Sequence, residues 1–359
     1  MSSCTSPLYR VPVGSLNFGR LLPSDQSRRR NGGVFLRYDE LKEYEKLDGW
    51  YPDSVQVIRC QQCASCRLKS SFDWAIRCSL EAEEHEHNYF VTLTYDDFHL
   101  PRGEFVDFKG DVYDSNLRLK DCQLFLKNLR EWERTVNSNT GVKVFYCGEY
   151  GDLNGRPHYH LCLFGVSNIP DLVFQRRSGE FNYYKSVLYE SFWSDKSLGL
   201  GIPRGFVDIT DLSFDTVAYT ARYVMKKQKG LIKKDFLEFY NTLSDPLPLR
   251  TQPFICMSRR PGLAASYYER NNGQILSEDL IKYQKKFKLY SVMPARYFSK
   301  LLERDFPDDY EVIKNKRRRS GIAARKLKLM SVSESESDRL LRDSDIINSK
   351  ERRFRIKSL

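Results

Sequence analysis

Val142-Lys-Val-Phe-Tyr-Cys-Gly-Glu149-Tyr-Gly151-Asp-Leu-Asn-Gly155-Arg-Pro-His158-Tyr-His160-Leu-Cys-Leu-Phe-Gly165 reads as two strands, about Val142 to Glu149 and Pro157 to Gly165, folded back through the turn-rich Gly151-Asp-Leu-Asn-Gly155. Side chains alternate along a strand, so His158 and His160 share one face. Hairpin pairing brings the carboxylate of Glu149 back toward His158. Working outward, Asn88 to Tyr95 is rich in β-branched and aromatic residues and ends at Asp96-Asp97, as a strand does. Between that strand and the hairpin, Leu117, Leu119, Cys122, Phe125, Leu126, Leu129 and Trp132 fall at helical spacing over Ser115 to Val136. After the hairpin come a helix over Tyr183 to Ser194, a strand over Gly205 to Ile209 and a helix over Asp215 to Gln228. The order β-α-β-β-α-β-α predicts an α+β fold: an antiparallel sheet flanked by helices, close to the ferredoxin-like pattern.

Before this core, Arg67 to Glu84 fits an amphipathic helix, and residues 1–55 read as an irregular arm with short strands at most. The main domain is placed at 56–270 and a charged helical or disordered basic tail at 271–359. Lys314 to Lys328 carries eight basic residues and no acidic one, which suits contact with a nucleic-acid backbone.

Lysine and arginine outnumber aspartate and glutamate 58 to 47 over 359 residues, a formal charge of +11 that favours a polyanionic partner. No run of about 18 apolar residues exists, and Met1 to Arg30 lacks the hydrophobic stretch of a signal peptide. A cytosolic protein without a membrane segment is expected. The nine cysteines are an odd number in a large chain, which fits reduced thiols or metal ligands better than disulfides.

Two imidazoles and a carboxylate suit manganese or magnesium with positions left open for a phosphate, so His158, His160 and Glu149 form the candidate metal set. His85-Glu-His87 has the same spacing but lies at a helix end, where residues two apart do not face each other. His99 is read as structural or exposed. Cys60, Cys63 and Cys66, with Cys78 as the fourth, are either ligands of a structural zinc or reduced thiols capping the following helix; their spacing matches neither a common zinc finger nor a ferredoxin cluster.

On the helix over Asp215 to Gln228, Tyr219 and Tyr223 stand four apart on one face, with Lys226 and Lys227 beside them. A phenol with an ordinary pKa of about 10 is a poor nucleophile until a cation helps, and Lys226 can stabilise the developing charge. A metal holding the scissile phosphate would align it for attack. The product would be a phosphotyrosine and a free 3′-hydroxyl, and two tyrosines allow two successive transfers.

Over Cys60 to Tyr268 the chain resembles the HUH-type rolling-circle initiators, in particular the replication initiation proteins of gokushoviruses within the Microviridae. Phe90-Val-Thr-Leu-Thr-Tyr95 is similar to that family's first motif, Gly148-Glu-Tyr-Gly151 with Gly155-Arg-Pro-His-Tyr-His160 to its metal motif, and Tyr219-x-x-x-Tyr223-x-x-Lys226 to its two-tyrosine motif. Cys60-x-x-Cys63-x-x-Cys66-Arg67 and Met257-Ser-Arg-Arg-Pro-Gly262 resemble segments of the gokushovirus branch. The resemblance implies an HUH endonuclease domain that nicks origin DNA, attaches to the 5′ end and leaves a 3′-hydroxyl primer. It implies single-stranded and origin DNA as partners, a host DNA polymerase, and work in the host cytoplasm. No Gly-x-x-x-x-Gly-Lys-Ser/Thr segment is present, so a helicase would come from the host. Two other readings stay open. A non-catalytic nucleic-acid binder would need no metal, and a phosphodiesterase using water would need the histidines but not the tyrosines.

Overall fold

The computed structural model describes residues 4, 8–12, 29–30, 33–36, 56–60, 63–151, 154–196, 201–222, 231–285, 288–330 and 346. The chain divides into two compact units, one of residues 1–69 with 323–359 and one of residues 70–322.

In the first unit, β1 (Leu8–Pro12), β2 (Arg29–Arg30), β3 (Gly33–Leu36) and β4 (Gln56–Ile58) form an antiparallel sheet in the order β2-β3-β1-β4. Val34 and Leu36 are fully buried. The arm therefore contains short strands that pair with one another, β1 reaching β4 across most of its length in register Leu8 to Ile58. Helix α1 (Ala64–Ala82) begins in this unit and continues into the next.

The second unit is built on seven strands: β5 (Asn88–Tyr95), β8 (Lys143–Tyr150), β9 (Pro157–Phe164), β10 (Val173–Ser178), β11 (Phe181–Lys185), β14 (Gly205–Asp211) and β15 (Phe254–Met257). Their order is β10-β11-β14-β5-β9-β8-β15, every neighbour antiparallel. Smaller hairpins are β6 (Arg102–Val106) with β7 (Val112–Ser115), β12 (Ser194–Asp195) with β13 (Ile202–Pro203), and β16 (Ile281–Lys285) with β17 (Lys288–Val292). The helices are α2 (Leu119–Val136), α3 (Val187–Phe192), α4 (Phe214–Arg222), α5 (Leu231–Tyr240), α6 (Ala265–Glu278), α7 (Arg296–Asp305) and α8 (Pro307–Met330), the last running on past residue 322. The fold is α+β, as the segment order predicts.

Strand alternation divides the work of the sheet. Val91, Leu93 and Tyr95 of β5 with Tyr159, Leu161 and Leu163 of β9 pack under Phe125 and Leu129 of α2 and under Tyr189 and Trp193. On the other face Phe90, Phe145, Cys162 and Phe164 meet Ala75 and Cys78 of α1 and Val217 and Ala221 of α4. A separate cluster joins Leu80 of α1 to Tyr268, Ile275, Tyr283, Phe298, Leu302, Tyr310 and Ile313. Much of the span that the sequence assigns to a charged tail thus contributes buried apolar side chains.

Three local differences have physical reasons. Tyr183 to Lys185, expected to open a helix, is strand, because β11 pairs with β10 and the helix starts only after Ser186, whose extended backbone and side-chain oxygen cap the N–H of Tyr189. Val112 to Ser115 is likewise strand, paired with β6, so α2 begins at Leu119. An unforeseen edge strand, β15, pairs with β8. Tyr223, Lys226 and Lys227 lie outside the described residues.

A candidate metal centre beside the tyrosine helix

The β8–β9 register sets Glu149 directly opposite His158 and Cys147 opposite His160. The intervening turn is tied by hydrogen bonds from Gly151 N to the Arg156 carbonyl and from Gly155 N to the Gly151 carbonyl, 2.9 Å each, with Gly155 at φ +60°, where glycine carries no Cβ penalty. Arg156 donates to Asp97 and to the Tyr95 carbonyl at 2.7 and 2.8 Å, fixing the start of β9 against β5.

Glu149 Oε1 lies 2.9 Å from His158 Nε2 and 3.0 Å from His160 Nε2. The carboxylate is almost wholly buried, and the imidazoles are buried or nearly so. His158 Nδ1 stands 3.1 Å from the Arg156 carbonyl, which can only accept, so Nδ1 carries the proton and the Nε2 lone pair is available toward Glu149. His160 Nδ1 is held by the Thr92 hydroxyl at 3.0 Å, and its ring stacks on Phe90 with centroids 5.5 Å apart. Burial pushes the Glu149 carboxyl up, but the two imidazoles outweigh it and leave the group at about 2. A buried anion facing two imidazole nitrogens calls for a shared cation, whether a proton or a metal ion. The three donor atoms lie within 4.8 Å of one another, and two nitrogens with one carboxylate oxygen fit a divalent ion with positions left open.

Helix α4 lies on the same face of β9. Its first turn is capped reciprocally: Ser213 N donates to Thr216 Oγ1 at 2.9 Å and Thr216 N to Ser213 Oγ at 3.2 Å. Val217 and Ala221 enter the core, and the Thr220 hydroxyl meets Cys162 Sγ at 3.6 Å. This seating places the half-buried Tyr219 ring edge-on to the His160 ring, centroids 5.2 Å apart at 81°. Of the residues singled out in the sequence, the structure thus brings together Glu149, His158, His160 and Tyr219. Thr92 joins them without having been singled out; pairing β5 with β9, which sets it opposite His160, is the signal that finds it.

Among the described residues, the remaining histidines form no metal group. His85 Nε2 lies 2.8 Å from Glu81 Oε1, His87 reaches Glu86 only at 3.9 Å, and His99 is tied to Asp96 at 2.9 Å. Glu81, fully buried, also receives Lys143 at 2.8 Å and the Ala264 N–H at 2.7 Å, while Arg77 donates to the Leu263 carbonyl at 3.0 Å. These two α1 side chains hold the loop that follows Met257-Ser-Arg-Arg-Pro-Gly262. The cysteines require a correction. Cys78 is not beside Cys60, Cys63 and Cys66; it is buried in the sheet core, where burial raises its thiol well above the ordinary value. The fourth clustered thiol is Cys4, from the arm read as carrying little chemical signal.

Residues 88–228, which span the sheet, the histidine hairpin and α4, match the family model of the replication-associated protein ORF2. The chain is 31% identical over 315 residues to the replication-associated protein ORF2 of Spiroplasma virus 4, covering 86% of this chain and 84% of that protein. The chain belongs to the replication-associated proteins of the microviruses. This replication-associated protein is also 32% identical over 255 residues to ORF4 of Chlamydia phage 1, covering 62% and 59% of the two chains, and 30% identical over 171 residues to VP4 of Bdellovibrio phage phiMH2K, covering 47% and 48%. No solved structure matches it. No described helix is long and apolar enough to cross a membrane.

Proposed function

We propose that this replication-associated protein initiates rolling-circle replication by nicking one strand of origin DNA, with a tyrosine of α4 or its continuation as nucleophile. The observation that carries the proposal is the Tyr219 ring set against His160, itself part of the Glu149, His158 and His160 cluster. These three residues would hold a magnesium or manganese ion, which when bound supplies Lewis-acid polarisation of the scissile phosphate.

The chain's own groups supply the rest. Thr92 and the Arg156 carbonyl fix the imidazoles, so the ligand nitrogens need no reorganisation. Attack by the phenolic oxygen of Tyr219 or Tyr223 forms the phosphorus–tyrosine bond and breaks the bond to the 3′ oxygen, which leaves as a hydroxyl after taking a proton; the phenol proton passes to solvent. Lys226 and Lys227 neutralise charge on the phosphate as it reacts. The 5′-phosphotyrosine conserves the phosphodiester energy, so a later transfer from one tyrosine to the other closes the displaced strand without ATP. Single-stranded and origin DNA are the partners, a host helicase and DNA polymerase extend the 3′ end, and the host cytoplasm is the setting.

The test is incubation with manganese and single-stranded origin DNA, followed by a search for a protein–DNA adduct that survives boiling in detergent. An adduct lost in the Tyr219→Phe/Tyr223→Phe double variant supports the proposal. Cleavage without an adduct replaces it with water attack, and binding with neither leaves a non-catalytic binder.

A further inference from the structure

Four thiols meet in the first unit. Cys4 Sγ lies 3.6 Å from Cys60 Sγ and 3.7 Å from Cys63 Sγ, and the sulfurs of Cys4, Cys60, Cys63 and Cys66 all lie within 4.8 Å of one another. A disulfide would need about 2.05 Å between sulfurs. Four sulfurs placed tetrahedrally about 2.3 Å from a zinc ion are separated by about 3.8 Å, the length of the tetrahedron's edge. Iron–sulfur clusters carry their cysteine sulfurs outside an iron cage and require wider spacing than this group offers.

The backbone supports the same arrangement independently. In the β1–β4 register, Leu8 faces Ile58, so the chain four residues before Leu8 and the chain just after Ile58 emerge at the same end of the pair. Cys4 and Cys60 occupy those two positions. Cys60 N donates to Cys4 Sγ at 3.4 Å and Cys63 N to Cys60 Sγ at 3.2 Å, as backbone amides do toward anionic sulfur. Cys63 immediately precedes α1 and Cys66 lies in its first turn, where the helix N-terminus favours thiolates.

We infer that Cys4, Cys60, Cys63 and Cys66 bind one structural zinc ion that staples the N-terminal strand to the start of α1. The ion ties together residues 56 positions apart and closes a sheet whose strands are each too short to hold by pairing alone. This site is separate from the Glu149, His158 and His160 cluster, and either assignment can fail without the other.

The deciding measurement is metal content by mass spectrometry after dialysis against a chelator. One zinc per chain is expected in the wild type, in Glu149→Ala and in Cys78→Ser, and none in Cys4→Ser. Cys4→His, which restores a ligand nitrogen, should recover zinc and so separates ligand loss from misfolding. Cobalt substitution of the wild type should give the intense visible absorption of a tetrahedral thiolate site. A wild type without zinc, an iron–sulfur spectrum, or a full zinc equivalent kept by Cys4→Ser would overturn the assignment.

Discussion

Tyr219 meets His160 ring edge to ring face at 5.2 Å, while Phe90 stacks on the same imidazole at 5.5 Å. The tyrosine is therefore placed by packing, and its hydroxyl can be removed with little structural cost. Tyr219→Phe keeps the ring contact and should change unfolding free energy by less than about 1 kcal/mol. If Tyr219 makes the first attack, the variant loses the detergent-stable adduct on a fresh origin strand while its urea midpoint stays put; an adduct formed at the wild-type rate would assign that attack to Tyr223.

Thr92 orients His160 without reaching the cluster's centre. Thr92→Val keeps the shape of the side chain and removes the hydroxyl. Removing such a supporting partner weakens metal binding about tenfold or more, so calorimetric titration with manganese should show that loss with an unchanged circular dichroism spectrum. Unaltered affinity would mean that packing against Phe90 alone fixes the ring.

Glu81 provides the pH dependence. Burial pushes its carboxyl up, but His85, Lys143 and the Ala264 N–H outweigh burial and hold the group below the ordinary glutamate value. A carboxyl depressed in the folded state adds stability that is fully present above its unfolded pKa, near about 4.3, and is lost as the pH falls through the folded value. Glu81→Gln should cost about 3 kcal/mol at neutral pH, the scale for breaking a buried pair. Its stability should then fall less steeply than the wild type's under acid, as followed by urea unfolding across the acid range. Parallel curves for the two proteins would remove Glu81 from the acid response.

Gly148, next to the metal carboxylate, has no room for a side chain: a Cβ there would come within 2.6 Å of the Phe254 ring and 3.2 Å of Leu117. Gly148→Ala should therefore destabilise by about 1–3 kcal/mol, the usual cost of overpacking. Replacing Phe254 by leucine in the same chain should recover part of the loss. No recovery would place the strain elsewhere.

Local chemistry was legible in the sequence and long-range pairing was not. Glu149, His158 and His160 could be placed together because one short turn joins their strands, and the Tyr219 stripe carried its own helical spacing. Cys4 was invisible because its partners lie 56 positions away, across strands of three to five residues with no readable alternation. Glu81 sits among glutamates at a helix end, a pattern that ordinarily marks a solvated face, and only the folded chain brings Lys143 and Ala264 to it. Beyond the hairpin, β15 consists of four residues in a segment of weak signal, and its place at the sheet edge follows from β8 having one side to offer.

The first half of β9 sends neighbouring residues to opposite faces, Tyr159 into the packed core beneath α2 and His158 and His160 toward Glu149. In a saturation mutagenesis experiment, consecutive positions there should fall into different phenotypic classes: soluble but unable to propagate the phage at 158 and 160, and depleted from the soluble fraction at 159 and 161. From Cys162 onward both faces are core, so the alternation should end, and loss of abundance should be the common outcome at Cys162, Leu163 and Phe164. The point along the strand where the two classes merge would mark, by genetics alone, how far the chemistry extends into the sheet.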